Sequence, residues 1–299
     1  MPRILSDSQL DDFTRFGFVT LHDCFSREWA KEQTDRAWVR LGLDPDDPSS
    51  WPHKRIHMPS LQGFAVREVA PSAYQAAMEL IGGEERGQGW GWSDGFIVNL
   101  GDGAHHPWQE PSAQTPGWHK DGDFFRHYLD SPEQGLLTLV IWSDIEPRGG
   151  GTFVARDSVP VVGKYLQAHP QGVRPNDFPF RDMIAQCHDF IEVTGRVGDV
   201  ILLHPFILHA SSQNHRPTAR FLTNPPITLK EPMRLSRPDD SYSPVERGTL
   251  RALGVEALDF EMQGERERIV PERVKRQEQV IRDEKARLAA AGAASGAAA

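Results

Sequence analysis

Residues 135–144 read GLLTLVIWSD, apolar on nearly both parities, with Leu136, Thr138, Val140 and Trp142 on one of the two faces. A strand buried on both sides suits the interior of a sandwich or barrel better than an open sheet with one wet face. Similar short runs surround it: DGFIVNL at 94–100, GGTFVA at 150–155, DFIEVTG at 189–195, DVILLH at 199–204 and ARFLTNPPITL at 219–229. VTGRVGDV at 193–200 reads as a turn, its glycines supplying positive φ between two strands. The fold class expected is mostly β with flanking helices, with a double-stranded β-helix or jelly-roll core from about 94 to 229.

Helices are expected mainly in the N-terminal third. Ser6 with Gln9 three residues on forms a capping-box pattern, Leu10, Phe13 and Phe16 recur at helical spacing, and Gly17 ends the run. FVTLHDCF then reads as a short strand, and a second helix runs from Ser26 as N-cap to Gly42 as stop. Residues 43–63 read as a long loop, and 71–81 as a helix opened by Pro71. Residues 1–264 are expected to form one domain, its region beyond 229 shaping a substrate pocket or lid. Residues 265–299 are expected to be a peripheral charged helix ending in a disordered Ala/Gly tail.

The bulk composition excludes several classes. With 38% hydrophobic and 25% charged residues the chain can bury a core, and a net charge of −9 argues against nucleic acid or an anionic membrane as the main partner. Two distant cysteines, Cys24 and Cys187, suggest neither a disulfide framework nor a zinc–thiolate site. No signal-peptide core, membrane-length apolar run or SKL-type ending is read, so a cytoplasmic protein acting on a small molecule is expected. The sequence is silent on oligomeric state.

TPGWHKDGDFFRHYLD at 115–130 holds the chemistry. A His-x-Asp triplet alone is nearly uninformative. In an extended segment, however, His119 and Asp121 face the same side while Lys120 faces away, and Gly122 bends the chain after them. A third ligand must come from elsewhere, and residues 199–221 offer His204, His209 and His215. His204 and His209 have opposite parity and Pro205 interrupts the run, so geometry leaves the choice open. The sequel favours His209, with Ser211 two residues on and Arg220 eleven residues on at the head of a strand. Two histidines and a carboxylate on one face leave open positions at an octahedral ion, the arrangement of non-heme iron oxygenases, although zinc would also bind them. Arg220 tips the reading towards an oxygenase, because a guanidinium fork suits the distal carboxylate of 2-oxoglutarate. Ser211 can add a hydroxyl donor there.

The ordered set resembles the phytanoyl-CoA dioxygenase family. The opening LSDSQLDDFTRFGFVTLHDCFSREWA, the pair within WHKD, the strand and Gly-rich turn WSDIEPRGGGTFV, and LHASSQNHRPTAR are each similar to that family, over roughly residues 5–229. The resemblance implies a double-stranded β-helix, Fe(II) on His119, Asp121 and His209, 2-oxoglutarate held by Arg220 and Ser211, and O2 as second co-substrate. It also implies that Trp142, Asn99 and Thr138 stand around the co-substrate. Because Asp121 is present rather than a small residue, hydroxylation or a related C–H oxidation is implied, not halogenation. VARDSV, where the family often has a Pro-Gly-Ser-His run, and the 101–118 loop and the region after 230, which have no counterpart there, depart from the pattern, so the CoA-ester substrate does not carry over. Trp90, Trp92, Trp108, Trp118, Phe124 and Phe125 point to an apolar or ring-bearing metabolite. Two alternatives stay open: a metal-dependent hydrolase or isomerase on this fold, and a non-catalytic small-molecule-binding β-barrel.

Overall fold

A computed structural model describes residues 3–297. The chain begins with α1 (Asp7–Phe16), β1 (Phe18–Leu21) and α2 (Arg27–Leu41), followed by β2 (Arg55–His57), β3 (Gly63–Ala65), α3 (Val66–Val69), α4 (Pro71–Ile81), β4 (Gly91–Ser93) and β5 (Ile97–Asn99). The capping box at Ser6 and the left-handed stop at Gly17 bound α1 as expected. The core continues with β6 (Leu137–Ile141), β7 (Thr152–Ala155), α5 (Ser158–Gln167), α6 (Phe180–Ile184), β8 (Phe190–Val193), β9 (Val200–Leu203), β10 (Leu208–Ser211) and β11 (Arg220–Thr223). Two helices close the chain, α7 (Pro244–Leu253) and α8 (Glu272–Ala297).

The major sheet has the order β1-β9-β6-β11-β5-β2 and the minor sheet β10-β7-β8, with antiparallel pairing throughout. From β6 onward the strands pass from major to minor sheet and back, which is the winding of a double-stranded β-helix. The sequence reading of 43–63 as loop needs correcting, because β2 lies inside it and extends the major sheet beside β5. Its three residues are too few for periodicity to reveal.

Register fixes which side chains enter the barrel. Arg220 pairs with Asn99, and Asn99 with Arg55, so these three residues share a face. The Asn99 amide donates to the carbonyl of Ser212, just past the end of β10, so this face looks towards the minor sheet. The opposite face carries Val140, Trp142 and Phe221 beneath α2, where Trp142 meets Phe25, Trp29, Phe64, Trp92 and Phe96, and Phe221 meets Trp38.

The C-terminal segment is less peripheral than expected. Residues 265–269 run beside the loop after the ligand pair: Arg126 N–H donates to Glu267 O, Ile269 N–H to Phe124 O, and Phe125 bridges Arg268. Helix α8 packs on α2, where buried Glu284 pairs with Arg40, itself 1% exposed and also paired with Asp94. Within the tail expected to be disordered, α8 continues to Ala297, in keeping with the high helix propensity of alanine, while 298–299 lie outside the described residues.

Helix α7 is anchored by Glu246, which accepts from Arg86, Arg237 and the backbone N–H groups of Arg234 and Ser243. Burial alone would raise its pKa, but these donors outweigh it and hold the group at about 2 against an ordinary 4.5. A depressed carboxylate adds stability above its unfolded pKa and loses it as pH falls through the folded one, here on the order of 3 kcal/mol. Urea unfolding at pH 6 and pH 3 should therefore show a stability loss in the native chain that shrinks in Glu246→Gln. An unchanged difference would remove Glu246 as its source.

Candidate metal centre

The two halves of the site meet through backbone pairing. His119 N–H donates to His209 O and His209 N–H to His119 O, both at 3.0 Å, adding the ligand segment to the free edge of β10. Directly opposed residues share a face, and the imidazoles accordingly stand 4.4 Å apart between centroids. Asp121 follows on the same side, its Oδ1 3.3 Å from His119 Nε2 and 3.5 Å from His209 Nε2. One donor atom from each of His119, Asp121 and His209 falls within 4.8 Å of the others. Adjacent donors around an ion bound at about 2.1 Å stand roughly 3 Å apart, so the set needs little movement to close on one metal.

The tautomers fit as well. His119 Nδ1 lies 2.8 Å from Gly117 O and His209 Nδ1 3.4 Å from Ile207 O, which puts the ring proton on Nδ1 and a lone pair on each Nε2. Burial raises the Asp121 pKa, but the two histidines outweigh it and hold the carboxyl well below its ordinary value. Burial disfavours charge on His119, yet the Asp121 carboxylate raises its pKa overall. A cation entering the cluster would take the place of the proton that Asp121 favours on His119 and meet one donor from each residue. Two histidines and one carboxylate on one face suit iron(II) or zinc and leave further positions open.

Two further residues shape this cluster, the first of them without a signal in the sequence. Asn224, just past β11, donates to Asp121 Oδ2 at 2.8 Å and so directs Oδ1 towards the histidines. Gly122 was expected to bend the chain, and it does so at φ 117°, where an added Cβ would lie 2.6 Å from both His127 and Phe125. The buried Lys120 turns away from the cluster, bonding His127 Nδ1 and Gln134 Oε1, and burial brings its pKa down to about 7.

The other histidines separate cleanly. His204 is fully buried, with Nε2 against Val245 O and Thr249 Oγ1, and burial lowers its pKa to about 3, so it is a core residue of the α7 contact. His105 and His106, both exposed in the 101–118 loop, pack tilted against each other, whereas His127 is buried against Lys120. His215 packs edge-on against Trp108.

Arg220 lies 3% exposed on the inward face of β11. Its Nη1 donates to Ile97 O at 3.2 Å, its buried Nε has no partner, and no carboxylate among the described residues pairs with it. Burial, then the charge of Arg55, lowers its pKa to about 10. Ser211 shares the face of His209 and is half-buried.

Asn99 does sit beside Arg220, but its amide is committed to Ser212 O and to the N–H of Asp102. Trp142 and Thr138 need correcting. Both lie on the outer face of the major sheet, where Trp142 Nε1 donates to Thr223 and Thr138 Oγ1 to Pro225 O. A strand apolar on both parities hides which face is inward, and register alone decides it. The aromatic supply is also reassigned. Trp90, Trp92, Trp118 and Phe125 are buried in ring packing, leaving Trp108 and Phe124 partly accessible.

Comparison with protein families and with curated proteins finds no match. Among solved structures, the chain is similar to AviO1 from Streptomyces viridochromogenes Tue57 at 17% identity and TM-score 0.48, covering 78% of this chain and 98% of that one. It is similar to SnoK, a non-heme alpha-ketoglutarate-dependent carbocyclase from nogalamycin biosynthesis, at 15% identity and TM-score 0.47, covering 89% and 97%. HygX from Streptomyces hygroscopicus, solved with nickel and 2-oxoglutarate bound, aligns at 15% identity and TM-score 0.41, covering 76% and 88%. At such distances the chemistry has to be read from the chain's own residues.

Removing a hydrogen bond that orients a metal-bound carboxylate typically costs about 10–100-fold in metal affinity. Asn224→Ala should weaken Mn(II) or Fe(II) binding by that order in a calorimetric titration while leaving the fold intact. Gly122→Ala should weaken it too, through the strained φ. Native affinity in both variants would detach Asn224 and Gly122 from the cluster.

Proposed function

We propose that this chain is an Fe(II)- and 2-oxoglutarate-dependent oxygenase that oxidises a C–H bond of a small metabolite. The observation that carries the reading is Arg220, a buried guanidinium with no carboxylate partner among the described residues, on the β11 face turned towards the minor sheet that carries His209. An unpaired buried cation is costly, and a fold retains one where an anion completes it. The ligands separate the tasks. His119, Asp121 and His209 hold the metal through Nε2, Oδ1 and Nε2, with Asn224 fixing the carboxylate. Arg220 takes the distal carboxylate of 2-oxoglutarate, and the Ser211 hydroxyl donates to it from the strand that carries His209. Iron with its oxoglutarate and dioxygen supplies the oxidising power that no side chain here has. The protein binds and orients the substrate and keeps water from competing.

A hydrolase or isomerase using the same ligands would not need a buried guanidinium kept for the far end of a co-substrate, and a metal-free binder would not need two imidazoles and a carboxylate brought to one point. The sequence resemblance to the phytanoyl-CoA dioxygenase family agrees with the oxygenase reading.

Anaerobic addition of Fe(II) and then 2-oxoglutarate should give the weak visible charge-transfer band of a chelated ketoacid. Truncating one partner of a buried charge pair costs about 2–5 kcal/mol, so Arg220→Ala should need at least about thirtyfold more 2-oxoglutarate for the same band. An iron-loaded native protein without the band would support the hydrolase or isomerase, and failure to take up iron would support the binder.

A further inference from the structure

The strand that the sequence hid adds a second arginine to the barrel face. Arg55 pairs with Asn99, which pairs with Arg220, so the two guanidinium side chains leave the same face two strands apart. Neighbouring strands lie about 4.8 Å apart, which separates the two backbones by roughly 10 Å. Strand β2 is the outer edge of the major sheet, so Arg55 enters this face from its rim. Its side chain is 37% exposed, where that of Arg220 is buried.

Its one ion pair is made through Nε to Asp102 Oδ2 at 2.9 Å. Neither Nη nitrogen has an acceptor among the described residues, so the fork that binds an oxyanion bidentately remains open. Asp102 is held in turn, since its N–H donates to Asn99 Oδ1 and its carbonyl accepts from Asn214. The contact thus aims the guanidinium instead of consuming it. Most of the aromatic side chains expected to receive an apolar substrate are instead buried in ring packing.

We propose that Arg55 forms a second anion subsite at the mouth of the metal centre, and that the primary substrate is a small molecule bearing a carboxylate or similar oxyanion. The proposal rests on the oxygenase reading for its assignment of Arg220 to 2-oxoglutarate. An oxyanion at Arg55 has two possible sources, the substrate or the co-substrate's own distal carboxylate, and they separate by competition.

The test is calorimetric, with Mn(II) in place of iron and no turnover. Acetate, benzoate, phenylpropionate and inorganic phosphate are titrated into protein saturated with 2-oxoglutarate, for the native chain, Arg55→Gln, Arg55→Lys and Asp102→Asn. The expected result is binding of at least one of these anions to the native chain, weakened by about tenfold or more in Arg55→Gln, partly kept in Arg55→Lys and tightened in Asp102→Asn. The affinity for 2-oxoglutarate should change by less than about threefold in Arg55→Gln. Absence of anion binding to the native chain, or equal binding in Arg55→Gln, overturns the proposal. So does loss of 2-oxoglutarate affinity in Arg55→Gln as large as in Arg220→Ala, which would assign Arg55 to the co-substrate. If Arg220→Ala leaves 2-oxoglutarate binding unchanged, the oxygenase reading fails instead, and the anion titration repeated without 2-oxoglutarate then tests Arg55 alone.

Discussion

Two reciprocal backbone hydrogen bonds between His119 and His209 hold the site together. They join segments far apart in the chain, and every later feature depends on the register they impose. With these residues opposed, the imidazoles share a face, Asp121 falls in line two positions on, and the positive φ of Gly122 carries the chain away before a fourth residue can crowd the ion. A shift of one residue would send both ligands of the 115–130 segment to the other side. The metal cluster is in this sense a property of a sheet edge rather than of three side chains.

Two deeply buried arginines, Arg40 and Arg220, are treated in opposite ways. Arg40 is given two carboxylates, Asp94 and Glu284, as well as the carbonyls of Asp94 and Pro59, so its charge is matched and its donors are spent in tying α8 to α2. Arg220 is given one carbonyl. Both sites bear the desolvation cost of a charge removed from water, but only one of them is compensated from within the chain. The contrast separates a structural cation from one that awaits an anion more sharply than burial does, since the two are equally buried.

Much of this was legible beforehand, for identifiable reasons. The core strands announced themselves by apolar runs between glycines, α1 by its capping box, and the ligand pair by the alternation of an extended segment. His209 could be preferred over His204 only through what followed it, and the structure supplies the physical ground, with His204 sealed against α7 and His209 on the open edge. Trp142 and Thr138 were misplaced because a strand apolar on both parities carries no sign of which side is inward. Strand β2 was missed because three residues are too short to show a period, and Arg55 was hidden with it. Asn224 and the stitching of 265–269 to the ligand loop are long-range contacts with no local signature. Helix α8 looked peripheral because its polar composition conceals one buried glutamate.

The loop at 101–118 begins two residues after Asn99 and ends at the first metal ligand, and it is fastened along the way by Arg55 to Asp102 and by Gln213 to the carbonyls of Gly103 and Pro107. Its far end is therefore clamped whenever His119 is engaged by an ion. By reciprocity, whatever the ion gains by finding this loop in place, the loop gains in order when the ion arrives. Metal affinity is then set by the fastenings of this loop as well as by the three ligands.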